Sequence, residues 1–353
     1  MTTAPAPHRP VGPAGLLPRV LSRRTGTIAI VALALVVVVT GLLFAVNADP
    51  LTVLQALIAG AFGTPRAFAE TLLRAAPLLL IAVTLAPSLR ARIFNLGAPG
   101  QMGAGAVAAT LVALTFPALP APLLLMCCAL AATLAGMAAA VIPAIMKARW
   151  QINEIIATIA MNFLVFSLIQ YLVSGPYRSA TASTPQSDAI ADAGWLPIMI
   201  EGTRAHWGLL IALAAAAGLF LFDRSRAGYR QKLFAANPSL SRQAGIHPRR
   251  MIFTVMITAG IGAGLAGWLQ IAGVDHRLYT TVSDPVGYAG LFVALLGGSS
   301  PVGMIAAALL MGAILQGGQS LQIGAGLEPE IVQVFIGLIL LGYAVISRVG
   351  AHR

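Results

Sequence analysis

The chain has 353 residues, 58% of them hydrophobic and only 9% charged, against about 25% charged in soluble domains. Its mean hydropathy is +0.86, so lipid must face most of the exterior, and a soluble enzyme, a secreted disulfide scaffold and a disordered chain are all excluded. The formal net charge of +11 acquires meaning only from where the charges fall.

Residues 1–24 are rich in Pro and Arg and read as a tail. Charge-free windows then run over 25–48, 75–89, 93–146, 155–177, 205–222, 251–274, 285–327 and 331–347. A span takes about 20 apolar residues. Each window holds one span, except 93–146 and 285–327, which hold two each and break at PALPAP (117–122) and GGSSPVG (297–303). The expected fold is all-α: a polytopic membrane protein of about ten transmembrane helices, one domain over 25–348, with a short tail at 349–353. Continuous apolar runs, not short alternating ones, exclude a β-barrel. Arg23 and Arg24 precede the first window, but that run and the arm before it are too long for a secretory leader, so the first span is expected to be retained. Cys127 and Cys128, adjacent inside a span, are expected to be apolar filler.

Ten spans put both termini on one side of the membrane. That side receives seventeen of the 22 basic residues, and the positive-inside rule makes it cytoplasmic. The largest outer loop is then 175–206, polar enough to be solvated and able to hold a small helix. The largest cytoplasmic loop is 223–250, with seven basic residues.

The sequence has no GxxxxGK[ST] run to cradle a nucleotide phosphate and no HExxH pair. Its five histidines lie in tails and loops without ligand spacing. No catalytic or metal-binding constellation is expected, and any energy-converting domain must be another polypeptide. Arg74 and Glu154 lie near span ends and read as interfacial anchors. That argues against an ion-coupled secondary transporter or channel, the alternative reading, which needs ionisable groups inside its spans.

FNLGAPGQMGAGA (94–106) opens the third span. Gly97, Pro99, Gly100, Gly103 and Gly105 disfavour a regular helix there, so the third helix is expected to be broken at its start. Irregular backbone at membrane depth is tolerated where it is buried in protein or lines a cavity. Asn95 and Gln101 bring amides to that place, suited to a polar uncharged solute; helix-to-helix packing is an equal alternative. Asn162, about two turns into the fifth span, is interhelical glue or a solute contact. Gly260, Gly262, Gly264 and Gly267 predict tight packing of the seventh span. In the cytoplasmic loop, Asn237-Pro238-Ser239 signals a helix start and Gly245 its end. A short helix there, with Leu233, Phe234, Ala235, Ala236, Ala244 and Ile246 among basic residues, suits docking to a partner or anchoring on anionic headgroups.

FNLGAPGQ (94–101), NEIIATIAMNF (153–163), LVSGPYR (172–178), GYRQKLFAANPSLSRQAGI (228–246), AGLAGWLQIAG (263–273), GYAGLFVALLGGSSPVG (287–303) and AALLMGAILQGG (307–318) together resemble the permeases of bacterial ATP-binding-cassette importers of the branched-chain amino acid and simple-sugar type. Within that family the sequence is most similar to nucleoside and simple-sugar permeases. The resemblance implies a type II importer-like permease, not itself an enzyme and without a cofactor, ATP being used on a partner chain. It implies a second, related permease subunit, two ATP-binding subunits and an extracytoplasmic solute-binding protein or lipoprotein, in the bacterial cytoplasmic membrane. It implies a solute path near Asn95, Gly97, Gln101 and Asn162. It makes 228–246 the ATPase-coupling segment, with Gly228, Leu233, Ala235, Ala236, Asn237, Pro238, Ala244, Gly245 and Ile246. Pro99 departs from the family, which often has an acidic residue before the Gly-Gln pair.

Overall fold

A computed structural model describes residues 49–298 and 300–325, with isolated positions between 30 and 44 and between 334 and 338. Both expected tails and most of the first and last expected spans lie outside the described residues. The chain divides into two compact units, one of residues 56–326 and one of residues 1–55 with 327–353. In the latter, the Asp49 carboxylate accepts from the Thr52 N–H (2.9 Å) and Oγ1 (2.6 Å), capping the start of helix α1 (Pro50–Phe62).

The larger unit continues with α2 (Pro65–Arg90), α3 (Ala98–Thr115), α4 (Ala121–Trp150), α5 (Glu154–Ser174), α6 (Gly208–Arg224), α7 (Arg226–Ala236), α8 (Pro238–Gln243), α9 (Pro248–Gln270), α10 (Val286–Leu296) and α11 (Pro301–Ala325). A π-turn, Ile271–Asp275, extends α9. Local chemistry sets the helix starts. Thr64 accepts from the Ala67 N–H at 3.0 Å and Asn153 from the Ile155 N–H at 2.9 Å, while Pro65, Pro99 and Pro248 sit in first turns, where a missing N–H costs nothing. Among the described residues the only extended pairings are two isolated bridges, Gln186 with Tyr279 and Ile198 with His206.

Five helices are long and apolar enough to cross a membrane: α2, α4, α5, α9 with its π-turn, and α11. The pair α6 and α7, bent by 71°, makes a sixth if taken as one span. The double windows do break where expected, at 116–120 and at Gly297–Gly298. The count of ten is not reached among the described residues: most of the first and last expected spans lie outside them, α3 is not among the helices that qualify, and α10 has 11 residues, about 16 Å of helix against about 30 Å of hydrocarbon. The third helix is not broken either. α3 runs uninterrupted from Ala98 to Thr115, and irregular backbone is confined to 93–97 ahead of it. Pro99 is harmless in a first turn, and the glycines gain close neighbours that offset their poor helix propensity. A Cβ on Gly105 would come within 2.3 Å of the Gly264 carbonyl oxygen.

α2 and α9 form the centre, each buried over most of its length. α2 touches α6, α9, α10 and α11; α9 touches α2, α3 and α4. The expected tight packing of the α9 glycines is present on three sides. A Cβ on Gly264 would meet the Ala132 carbonyl oxygen of α4 at 2.3 Å, one on Gly267 the Met102 oxygen of α3 at 2.1 Å, and one on Gly262 Thr84 Oγ1 of α2 at 1.9 Å. α4 and α5 are peripheral and expose Met126, Leu130, Phe163, Leu164 and Tyr171, an outward surface suited to lipid or another membrane chain. Cys127 is half-buried and Cys128 buried, both unbridged.

The loop 175–206 keeps most of its residues exposed, as expected, and folds back as a cap. Its only helical piece is a three-residue 3-10 turn, Asp192–Gly194. Backbone bonds fasten it to the end of α9 and beyond: Ser187 N–H to Leu278 O (3.0 Å), Ile190 N–H to His276 O (2.9 Å) and Leu196 N–H to Ala272 O (2.8 Å). Trp195 stacks on His276, with ring centroids 3.9 Å apart.

Candidate functional site

The segment 93–101 passes beside the start of α5, and the hydrogen bonds between them are polar and uncharged except at one end. Asn162 Nδ2 donates to the Leu96 carbonyl (2.9 Å), and its Oδ1 accepts the Gly100 N–H (3.0 Å). Thr158 Oγ1 accepts the Leu96 N–H at 3.2 Å. Asn95 Oδ1 accepts the Gly97 N–H at 2.8 Å, and the Asn95 and Gln101 amides face each other at 3.4–3.5 Å. At the basic end Glu154 pairs with Lys147 Nζ at 2.7 Å and accepts the Phe94 N–H at 3.4 Å. Non-helical backbone at this depth needs partners for its N–H and C=O groups, and these side chains supply them.

The sequence-chosen path residues therefore come together. Asn95, Gly97, Gln101 and Asn162 are all buried, Asn95 completely. In this conformation they satisfy one another and the backbone. Pro99 stands between them and an open cavity of about 650 Å³. The first turn of α10 rests on Pro99, since a Cβ on Gly287 would meet its Cα at 2.5 Å.

That cavity was not singled out from the sequence. Besides Pro99 it is lined by Phe166, Ser167, Gln170 and Tyr171 of α5, by Thr280, Thr281, Ser283 and Asp284 of the following loop, and by Tyr288 of α10. The wall carries hydroxyls, an amide and one carboxylate together with two tyrosines. Such a wall exchanges hydrogen bonds with a polar solute and offers aromatic faces to a ring. A signal was present: the run Thr280-Thr281-Val282-Ser283-Asp284 is too polar for a plain connector between apolar windows.

The coupling segment also divides. Ser225 Oγ accepts the Gly228 N–H at 3.2 Å and starts α7. A Cβ on Gly228 would meet the Phe222 oxygen at 2.2 Å, so that residue makes the bend possible. Gln231 Nε2 donates to the Pro87 carbonyl, and Phe234 enters an apolar cluster with Ala91, Ile93, Ala144, Ala148, Ile252, Val255 and Met256. Pro238 begins α8 as expected, and Gly245, at φ +71, ends that turn, with the Ile246 N–H returning to the Ser241 oxygen at 2.9 Å. Gly228 and Ile246 are buried, Leu233 and Ala235 half-buried, and Ala236, Asn237, Ala244 and Gly245 exposed. The hairpin is rooted by buried side chains and presents a face of small residues.

Arg74 and Glu154, both near span ends, also bond to neighbouring helices. Arg74 Nε donates to Gln316 Oε1 at 2.9 Å and its Nη2 to Gln319, joining α2 to α11. Nearby, Glu70 holds Arg204 by two bonds of 2.8 and 2.7 Å.

Residues 67–344 match the family described as "branched-chain amino acid transport system / permease component". The chain is 32% identical over 327 residues to the glucose ABC transporter permease protein TsgB13 of Haloferax volcanii, covering 90% of this chain and 86% of the relative. It is 32% identical over 292 residues to the guanosine ABC transporter permease protein NupP of Bacillus subtilis, covering 81% and 83%. It is 30% identical over 314 residues to the nucleoside ABC transporter permease protein NupB of Lactococcus lactis, covering 86% of each. With its apolar helices and this match over most of its length, the chain is a multi-pass membrane protein that belongs to the family of branched-chain amino acid transport system permease components.

Proposed function

We propose that this chain forms half of the solute pathway of an ATP-binding-cassette importer for nucleosides or related simple sugars. It works beside a second, related permease, two ATP-binding subunits and an extracytoplasmic solute-binding protein or lipoprotein. It crosses the bacterial cytoplasmic membrane about ten times with both termini inside. The observation that carries this reading is the family match over residues 67–344, together with relatives named for glucose, guanosine and nucleosides.

The cavity chemistry supports the solute class. Ser167, Gln170, Thr280 and Thr281 suit ribose or sugar hydroxyls, and the rings of Tyr171 and Tyr288 suit a flat base or a sugar face. Asp284 provides in this wall a carboxylate that Pro99 does not. The bonds of Asn162 to the segment before α3 hold one side of the path, and Asn95, Gly97 and Gln101 are exposed to solute when that segment parts from α5. ATP binding on the partner subunits biases two facings of the path through the α7–α8 hairpin, because each nucleotide state favours one facing.

The test is uptake of labelled guanosine and glucose into vesicles holding the chain with its partner subunits. ATP-dependent, saturable uptake of at least one is expected. Ala236→Asp, on the exposed hairpin face, and Gly245→Arg, at a positive φ that an L side chain rarely adopts, abolish uptake while the chain still inserts. Transport by this chain alone on an ion gradient would establish the secondary-transporter reading instead, and normal uptake in Ala236→Asp removes the coupling role.

A further inference from the structure

A second cavity, of about 530 Å³, lies among α2, α6 and α9 and shares no lining residue with the cavity at Thr280–Tyr288. α2 lies at its floor, where Val83, Thr84 and Pro87 line it, with α6 to one side and α9 to the other. The walls are apolar or small: Ala215, Gly218 and Leu219 on α6, Met251 and Val255 on α9. A Cβ built on Gly218 meets nothing within 4 Å, so the groove is open at its middle. It extends along α9 from Arg250 to Thr258, about 12 Å of helix.

The mouth of this groove is different. Arg230, His247 and Arg250 stand there, and no acidic residue lines it. The nearest carboxylate in the loop, Asp223, is already paired with Arg90. The first turn of α9 opens at the same place, and its N-cap residue, His247, makes no side-chain capping bond. A helix start carries free N–H groups and partial positive charge, which favours an anion. One end thus suits a phosphate and the rest suits hydrocarbon, aligned along the helix axes as an acyl chain in a bilayer would be.

We infer that this crevice holds an anionic phospholipid, with its phosphate between Arg250, Arg230 and the start of α9, and an acyl chain between α6 and α9. Basic pockets between membrane helices are suited to such headgroups. The lipid would fill the gap beside the root of the α7–α8 hairpin, because Arg230 also donates to the Gly245 carbonyl at 3.3 Å. Hairpin position and lipid occupancy are then linked.

The test is lipid retention by the full chain, purified from micelles holding equal phosphatidylglycerol and phosphatidylcholine with the same acyl chains, read by native mass spectrometry. The native chain is expected to retain phosphatidylglycerol preferentially. Gly218→Phe fills the groove from open space and removes the retained lipid. Arg250→Gln lowers the preference for phosphatidylglycerol about fivefold, the effect of one cation near an anionic surface. Equal retention of both lipids by the native chain, or unchanged retention in both variants, overturns the proposal. A Gly218→Cys thiol identifies any other occupant: protection from maleimide by phosphatidylglycerol supports the lipid. Protection by added ATP-binding subunits in lipid-free micelles assigns the crevice to protein and overturns it.

Discussion

The two ends of the helix bundle are built on opposite plans. The 175–206 loop is sewn down along its length, by backbone bonds to residues 272–278, by the Trp195–His276 stack and by the two-bonded Glu70–Arg204 pair. The 223–250 loop is held at its root, by the Asp223–Arg90 pair and by Gln231, Phe234 and Ile246, and its far face is exposed. A segment fastened everywhere moves only with what lies beneath it. One fastened at its root transmits a push on its free face into the helices that hold the root, here α2, α4 and α9.

Three changes sharpen or break that contrast. The largest effect is expected from Phe234→Ala, which empties the cluster beneath the hairpin and costs about 3–5 kcal/mol. The melting temperature in detergent and the uptake rate should fall together; an unchanged melting temperature would show that the root lies elsewhere. Glu70→Gln removes the charge from a bidentate pair whose arginine is half exposed, and should cost about 2 kcal/mol. It lowers the melting temperature while leaving the hairpin's binding to the ATP-binding subunits intact. Loss of that binding would mean that the two ends are not independent.

The third effect appears only as the pH falls. His206 is buried in the folded cap, where its Nδ1 accepts the Gly208 N–H at 3.0 Å, which places the neutral ring's proton on Nε2. Burial first, and then the neighbouring His276, hold its pKa down at about 4, against an ordinary value near 6.5. The unfolded state therefore takes up the proton first. The stabilisation from His206 is whole above about pH 6.5 and is lost as the pH falls toward about 4. Across that range the native melting temperature should fall more steeply than that of His206→Gln. Parallel slopes would remove His206 as the cause.

Much of this architecture could be read along the chain because it is local. The windows between charges that fall within the described residues became helices, Pro238 and Gly245 bounded α8, and Gly262, Gly264 and Gly267 marked a helix packed on several sides. What escaped is long-range. The bonds of the 175–206 cap join segments about ninety positions apart, so composition suggested only a polar loop. The cavity at Thr280–Tyr288 faces α5, more than a hundred residues earlier, and no local spacing announces that meeting. Gly100, Gly103 and Gly105 implied a broken helix only while their neighbours were unknown. Once Asn162, Ile169 and Gly264 lie against them, the same glycines keep the helix intact. Asn95, Gln101 and Asn162 were legible as a group with something to bind; that they bind one another in this conformation was not.

The glycine contacts of α9 also bear on how the molecule can change shape. Where Gly262, Gly264 and Gly267 meet α2, α4 and α3, there is little or no side chain on the α9 side to rotate into a second packing arrangement. Interlocked backbones of this kind have one good registration and slide poorly. The four helices should therefore travel as a single rigid girder, with shape change concentrated at joints outside it: the bend at Ser225 and the turn at Gly297–Gly298.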